Sequence, residues 1–366
     1  MAPVDWRELY ASNRAAIERA GGAPGDLPTP VAAPGDAPPH AAESSPGRSP
    51  AQVSGEPDAL DERTVTVAGR TRRALVHVPA GVKSQTAVPL VCMLHGCSQD
   101  AASFAASTLM NKAADRYGFV AVYPQQERAD NHSACWNWFL PEHQARGAGE
   151  PASIAAIIGE VIGTTSPLTI DTRRVFVAGL SSGGAMAAIL AATYPDLFAA
   201  VAIHSGLAYG SATGMGAAFA AMAHGGQDPA GRGRDAHAAM GAFARPVPSL
   251  VVHGNADRTV APVNADQVLE QWMTVNRLAA PETCDADIAS PSAAWRGQVN
   301  GGHAYTHSRW MDRSGALMHA LLKVDGLGHA WSGGVPGGSY TDPRGPDATE
   351  AIWRFFAEAS AADPAG

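Results

Sequence analysis

Arg174-Val-Phe-Val-Ala-Gly-Leu-Ser-Ser-Gly-Gly-Ala-Met186 decides how this chain is read. The apolar run Val175 to Ala178 has the character of a buried strand, and Ala185 to Tyr194 is a good helix former that stops at Pro195. Between them Gly179, Ser181 and Gly183 fit the G-x-S-x-G spacing of a nucleophile elbow. In that sharp strand-to-helix turn, small flanking residues let a serine hydroxyl stand above the sheet edge. Ser181 is therefore the candidate nucleophile. A plain Gly/Ser-rich turn would use the same residues, but the strand before and the helix after supply the setting the elbow requires.

Outward from this point, strand and helix signals alternate. Before the elbow they predict a strand from Pro89 to Leu94, a helix from Ala105 to Tyr117, a strand from Phe119 to Tyr123 and a helix from Ala152 to Gly163. After it come strands from Ala199 to Ile203 and Ser249 to His253, then a helix from Ala265 to Arg277. A strand from Leu317 to Val324 and a last helix from Ala348 to Ala359 complete the series. Such alternation implies an α/β domain with a mostly parallel sheet flanked by helices on both faces. Thr64 to Ala68 and Ala74 to Pro79 alternate with period two around Ala68-Gly69-Arg70, which predicts an N-terminal antiparallel hairpin.

Two stretches interrupt the alternation. Leu207 to Arg245, rich in Gly, Ala, Met and His, reads either as a lid over the site or as a surface insertion with one helix. Pro281 to Arg313 reads as a hairpin that extends the sheet. The first 58 residues read as a separate arm. A short helical pattern over 3–20 gives way to nine Pro and six Gly among residues 21–58, the composition of a disordered linker. The catalytic domain is accordingly placed at 59–366.

A serine hydroxyl becomes a nucleophile only when a base takes its proton, and the base needs an acid to fix its tautomer. Behind an elbow of this type the acid and then the histidine follow in chain order. Asp257, in Leu250-Val-Val-His-Gly-Asn-Ala-Asp257, follows a predicted strand; a helix cap or Asx turn is its structural alternative. His329 lies in the glycine-rich loop after the last strand, which gives it both the order and the loop; His303, His307 and His319 are its rivals. The developing oxyanion calls for the backbone N–H of Ser182, just past the nucleophile, and a second N–H from Leu94-His-Gly-Cys-Ser-Gln99. There Gly96 permits close approach and Cys97 is the donor. None of the 13 histidines falls in a compact ligand motif, so neither a metal nor another cofactor is expected.

Composition removes other classes. A net charge of −8 with interspersed signs offers no footprint for nucleic acid. No run approaches the length of a membrane span, and the N-terminus lacks a secretory pattern, which predicts a cytoplasmic location unless a leader was removed. Four cysteines make no disulfide scaffold: Cys92 reads as a buried hydrophobe. Cys97 and Cys135 sit in loops where pairing stays open, with free thiols the default in a reducing cytoplasm.

Several motifs recur in one order: His95-Gly-Cys-Ser-Gln99, Tyr123-Pro-Gln-Gln126, Cys135-Trp-Asn-Trp-Phe139, the elbow, Tyr194-Pro-Asp-Leu-Phe198, His204-Ser-Gly206 and Gly328-His-Ala-Trp-Ser-Gly333. Together they resemble the poly(3-hydroxybutyrate) depolymerase family of esterases over residues 60–357. The resemblance implies an α/β-hydrolase fold, a triad of Ser181, Asp257 and His329, and oxyanion donors Cys97 and Ser182. It implies hydrolysis of polyhydroxyalkanoate or its oligomers through an acyl-enzyme, with polyester granules or short-chain esters as partners. It also directs Trp331, His95 and His204 toward substrate binding, with a core aromatic the alternative for Trp331. Secreted members carry a signal peptide and a polymer-binding domain that this chain does not show, which favours amorphous granules, oligomers or soluble esters. Feruloyl and acetylxylan esterases share the layout and are the alternative function; a general lipase and a non-catalytic granule-binding protein rank behind them.

Overall fold

The first hairpin is formed by β1 (Asp61–Val67) and β2 (Arg70–His77), antiparallel around Ala68 and Gly69. A computed structural model describes residues 60–361 apart from 80, 81, 83–86, 166, 167 and 286. The arm expected over 1–58, with its short helix, lies outside the described residues. The chain continues through β3 (Ala87–Leu94), α1 (Ala101–Thr108), α2 (Met110–Tyr117), β4 (Val120–Pro124) and α3 (Gly149–Thr164). Next come β5 (Thr169–Leu180), α4 (Ser182–Thr193), β6 (Ala200–His204), α5 (Met215–His224), α6 (Pro229–Met240), β7 (Ser249–Gly254) and α7 (Val263–Ala279). It closes with β8 (Ala293–Gln298), β9 (Ala304–Met311), β10 (Leu317–Val324), β11 (Trp331–Ser332), β12 (Thr341–Asp342) and α8 (Ala348–Ala361).

The main sheet has ten strands in the order β1-β2-β4-β3-β5-β6-β7-β10-β9-β8. Strands from β4 to β10 along that order run parallel, and an antiparallel hairpin closes each edge: β1-β2 on one side and β9-β8 on the other. The 281–313 segment is thus the sheet-extending hairpin that its pattern predicts.

Both faces of the parallel strands are covered, and their sequences show it. Leu90, Cys92 and Leu94 of β3 pack with Ile154 of α3, Leu190 of α4 and Trp272 of α7, while Val91 and Met93 pack on the opposite face with Phe104 of α1 and Phe356 of α8. Successive side chains of a strand point to opposite faces, so an unbroken apolar run is what two buried faces require. Phe176 of β5 stacks on Phe356 at 4.6 Å.

The helix expected over 105–117 is two helices. Asp100 caps α1 through a capping box with Ser103, starting it earlier, and Leu109 takes a left-handed conformation (φ 64°) that ends it. The break is held from outside, because Thr349 Oγ1 donates to Thr108 O at 2.6 Å. The 207–245 insertion likewise carries two helices, α5 and α6, rather than one.

Candidate active site

The elbow is built by close backbone approach. β5 runs to Leu180, α4 starts at Ser182, and Ser181 between them takes φ 58°, ψ −119°, a conformation unfavourable for any residue with a side chain. A Cβ on Gly179 would lie 2.3 Å from Gly183 O, and one on Gly183 would lie 2.1 Å from Leu94 O. Only glycine fits at either position. Ser181 N–H donates to His204 O at 2.9 Å, which fixes the strained turn to the neighbouring strand. The parallel strands β5, β7 and β10 all end at one edge of the sheet, and Ser181, Asp257 and His329 follow those ends.

Asp257 and His329, 72 residues apart, are hydrogen-bonded: Nδ1 of His329 lies 2.8 Å from Asp257 Oδ2. The other carboxylate oxygen accepts the N–H groups of Thr259 and Val260, both at 2.9 Å. Burial raises the pKa of Asp257, but His329 beside it and these donors outweigh burial and hold the carboxyl below its usual range. His253 adds a feature not foreseen from sequence. It is buried, its Nε2 lies 2.9 Å from Val260 O and 3.5 Å from Asp257 Oδ2, and burial keeps it neutral by lowering its pKa. Ser181 Oγ makes no hydrogen bond among the described residues, so the remaining link of a relay, from Ser181 to His329, is open in this state. Such bonds are commonly long in free enzymes and tighten with substrate.

On the other side of Ser181 stands the loop after β3. Gly96 N–H donates to Gln99 Oε1 at 2.9 Å, Gln99 Nε2 donates to Ser339 O at 3.0 Å, and Ser98 N–H donates to Ser133 O at 2.6 Å. The N–H groups of Cys97 and Ser182 meet no acceptor among the described residues, which leaves both for an incoming oxygen. Cys97 and Cys135 form a disulfide, a correction to the free thiols expected by default. Glu150 organises the layer beneath: Oε1 accepts from Gln126 Nε2 and Asn137 Nδ2, both at 2.6 Å, and Oε2 from Asn137 N at 2.7 Å. Burial raises the Glu150 pKa against the opposing pull of His143 and these donors. Glu150 carries no motif of its own; its signal is Asn137 of the Trp136-Asn137-Trp138 run, whose buried amide needs a partner.

Residues 73–289 match the family model described as esterase PHB depolymerase, more than half of the chain. The chain belongs to this family. It is 34% identical over 256 residues to poly(3-hydroxyalkanoate) depolymerase C of Paucimonas lemoignei, covering 69% of this chain and 57% of that one. It is 33% identical over 210 residues to feruloyl esterase B of Neurospora crassa, covering 56% of this chain and 70% of that protein. The chain therefore spans little more than half the length of the depolymerase it matches. Among solved structures, an acetyl xylan esterase from Aspergillus awamori superposes with a TM-score of 0.63 at 22% identity, covering 82% of this chain and 100% of that one. That likeness is one of fold: the architecture is the α/β-hydrolase fold.

In this esterase-family chain the three residues directed to substrate binding lie too deep for that role. Trp331, His95 and His204 are each 0% exposed, so none of them forms a pocket wall. Trp331 is a core aromatic, stacked on His204 at 5.0 Å and edge-on to Phe104 at 5.5 Å, with Nε1–H donating to Thr349 Oγ1 at 3.2 Å. His204 Nε2 accepts Ser332 N–H at 3.0 Å while its Nδ1 faces Ser205 Oγ at 3.1 Å. Burial pushes its pKa down to about 3. It ties the elbow to the His329 loop. His95 does the same for the loop after β3: Nε2 accepts Gln126 N–H at 3.1 Å, Nδ1–H donates to Gly96 O at 2.8 Å, and burial lowers its pKa to about 4. The rival histidines are engaged elsewhere. His303 bonds Asp342 at 2.9 Å, His307 packs on Trp295 at 4.5 Å, and His319 is buried against Ser249 at 2.9 Å.

Proposed function

We propose that this chain is a serine carboxylic ester hydrolase that cleaves polyhydroxyalkanoate or its oligomers through an acyl-enzyme. The observation that carries the reading is the Asp257–His329 pair at 2.8 Å, at the same sheet edge as a serine held in a strained elbow. Ser181 Oγ attacks the ester carbonyl as His329 takes its proton, and Asp257, kept ionised, stabilises the resulting imidazolium. The oxyanion rests on the N–H groups of Cys97 and Ser182, and His329 returns the proton to the departing alcohol. Water, activated by the same histidine, then releases the acid and regenerates Ser181. These steps draw on the chain's own groups and water.

The acyl specificity follows the depolymerase relative. The feruloyl esterase relative and the acetyl xylan esterase fold support a second reading, a short-chain or aromatic carboxylesterase with the same machinery. The catalytic unit is taken as residues 59–366. No helix among the described residues is long and apolar enough to cross a membrane. The Cys97–Cys135 bond supports an oxidising compartment over the reducing cytoplasm expected from sequence.

The test is product release from amorphous poly(3-hydroxybutyrate) beside hydrolysis of p-nitrophenyl butyrate, for wild type and Ser181→Ala. Loss of up to about 10⁶ in turnover on both substrates is expected. Release of hydroxybutyrate that survives Ser181→Ala at more than a few per cent overturns the assignment. Serine-dependent cleavage of the small ester alone transfers the function to the second reading.

A further inference from the structure

We propose that Glu150, in the first turn of α3, is a positioning residue for the reaction: its buried carboxylate fixes the Cys97 N–H where the oxyanion forms. This deepens the reading above and rests on it.

Glu150 is only 2% exposed. No guanidinium or ammonium group pairs with it among the described residues, and His143 Nδ1, 3.8 Å from Oε2, already accepts the Glu150 N–H at 2.9 Å. The start of a helix favours a negative charge, but a carboxylate buried on neutral donors is still costly, and an apolar side chain would fill such a layer more favourably. Packing therefore gives no reason for a carboxylate here. Its contacts do: Gln126 Nε2, Asn137 Nδ2 and Asn137 N all aim N–H groups at it.

From those contacts two routes of buried side chains lead to Cys97. Gln126 begins the first. Its Nε2 also donates to Cys135 O at 2.9 Å, on the far side of the disulfide, and its main-chain N–H holds His95 Nε2 at 3.1 Å. Nδ1–H of that ring donates to Gly96 O at 2.8 Å. Gly96 C=O and Cys97 N–H belong to one planar peptide unit, so fixing the oxygen fixes the direction in which the N–H points. Asn137 begins the second. Its Oδ1 accepts from Asn131 Nδ2 at 2.9 Å, and Asn131 Oδ1 accepts the N–H groups of Ser133 at 3.0 Å and Cys135 at 3.3 Å. Ser133 O in turn accepts Ser98 N–H at 2.6 Å. The peptide before Cys97, the residue after it and the sulfur of its side chain are thus all traced to one carboxylate.

Such a residue acts on rate, not on substrate affinity. The oxyanion develops only on the way to the tetrahedral intermediate, so a displaced donor lowers kcat and kcat/KM together and leaves KM in place. A residue that served stability alone would change the urea midpoint and leave the kcat of the folded enzyme unaltered.

The experiment measures p-nitrophenyl butyrate hydrolysis by the full chain, by Ser181→Ala and by two variants of the layer, each checked for native near-UV circular dichroism. Glu150→Gln keeps the shape but turns an N–H toward N–H groups in either amide orientation. Gln126→Met keeps the main-chain bond to His95 and removes the amide that joins Glu150 to Cys135. Each variant should lose about tenfold in kcat with KM within twofold of wild type, less than the roughly 10² to 10³ of a donor deleted outright. Affinity for propyl trifluoromethyl ketone, to which Ser181 Oγ adds as His329 takes its proton, should fall by the same factor, while inhibition by butyrate stays as it was. A kcat within threefold of wild type in folded Glu150→Gln, or a loss carried by KM, overturns the inference and leaves the serine mechanism standing. If Glu150→Gln yields no folded protein, Gln126→Met decides by the same limits. Hydrolysis that survives Ser181→Ala at more than a few per cent overturns the serine reading, and the inference with it.

Discussion

Gly183→Ala tests the elbow at its tightest contact. The added Cβ would lie 2.1 Å from Leu94 O and 2.6 Å from His95 O, closer than the 3.0 Å that such contacts keep. Both obstacles are backbone, so relief requires the first turn of α4 to retreat from the end of β3 by about 1 Å. Ser182 N–H moves with α4, while Cys97 N–H stays with the loop after β3, so the retreat pulls the two proposed oxyanion donors apart. A misplacement of about 1 Å costs about 10² in rate, the same order as deleting one oxyanion donor outright. The accompanying overpacking costs about 1–3 kcal/mol, which leaves an ordinary domain folded. Gly184→Ala is the matched control, because its Cβ would meet Gly179 O and His204 O at 3.1 Å and the neighbours need give only a few tenths of an ångström. Turnover of p-nitrophenyl butyrate, with melting curves for both proteins, reads the difference. If Gly183→Ala keeps more than a tenth of the wild-type kcat, or if Gly184→Ala loses more than Gly183→Ala, the donors are not set by this contact.

Asp257→Asn should lower kcat by about 10⁴, since an amide no longer selects the Nδ1–H tautomer of His329, while the bonds from Thr259 and Val260 keep the loop in place; more than one per cent residual kcat would count against it. Replacing Cys97 and Cys135 together by Ser removes a link between residues 38 apart and should cost about 2–4 kcal/mol of stability. An unchanged urea midpoint would show that the link constrains nothing. Burial lowers the pKa of His95 to about 4 and those of His204 and His319 to about 3. The unfolded chain therefore takes up these protons first as pH falls. The stability they leave intact above about pH 6.5 should decline toward pH 4, at roughly 1 kcal/mol per pH unit for each histidine. Urea unfolding at pH 7, 6 and 5 measures that slope, and a flat profile would rule the three histidines out as its source.

The fold was legible where a residue's chemistry is local. Leu317–Val324 was read to the residue because both its faces are buried, and the elbow was read because Gly179 and Gly183 have no substitute at their backbone contacts. The split at Leu109 was hidden, since Thr349 secures it from 240 residues downstream, although the Asp100 and Ser103 capping pair was present in the sequence to start α1 earlier. The β11–β12 pair, two residues a strand, has no periodicity to read. The site divides in the same way. The Ser, Asp, His order and the loop positions could be read along the chain, but the burial of His95, His204 and Trp331 could not. Polar residues in motif loops look alike whether they face substrate or brace the residues that do, and only the Trp331 stack and the Gln126 and Ser332 bonds tell them apart. Glu150 was missed because its partners, Gln126 and Asn137, are separated from it in sequence and meet it only in the folded layer under the loop after β3.

The side-chain amides of α7 grip the insertion through its main chain alone: Gln271 holds Tyr209, Gln267 holds Gly226 and Asn264 holds Ala221 by groups that every amino acid except proline supplies in full. Anchorage therefore falls on three residues of the helix and asks little of those they hold beyond room at Gly225, where a Cβ would lie 2.6 Å from Gln267 Nε2. A substitution between these anchors that keeps the main chain should leave all three holds in place. The hold on the segment is thus set apart from most of what the segment carries.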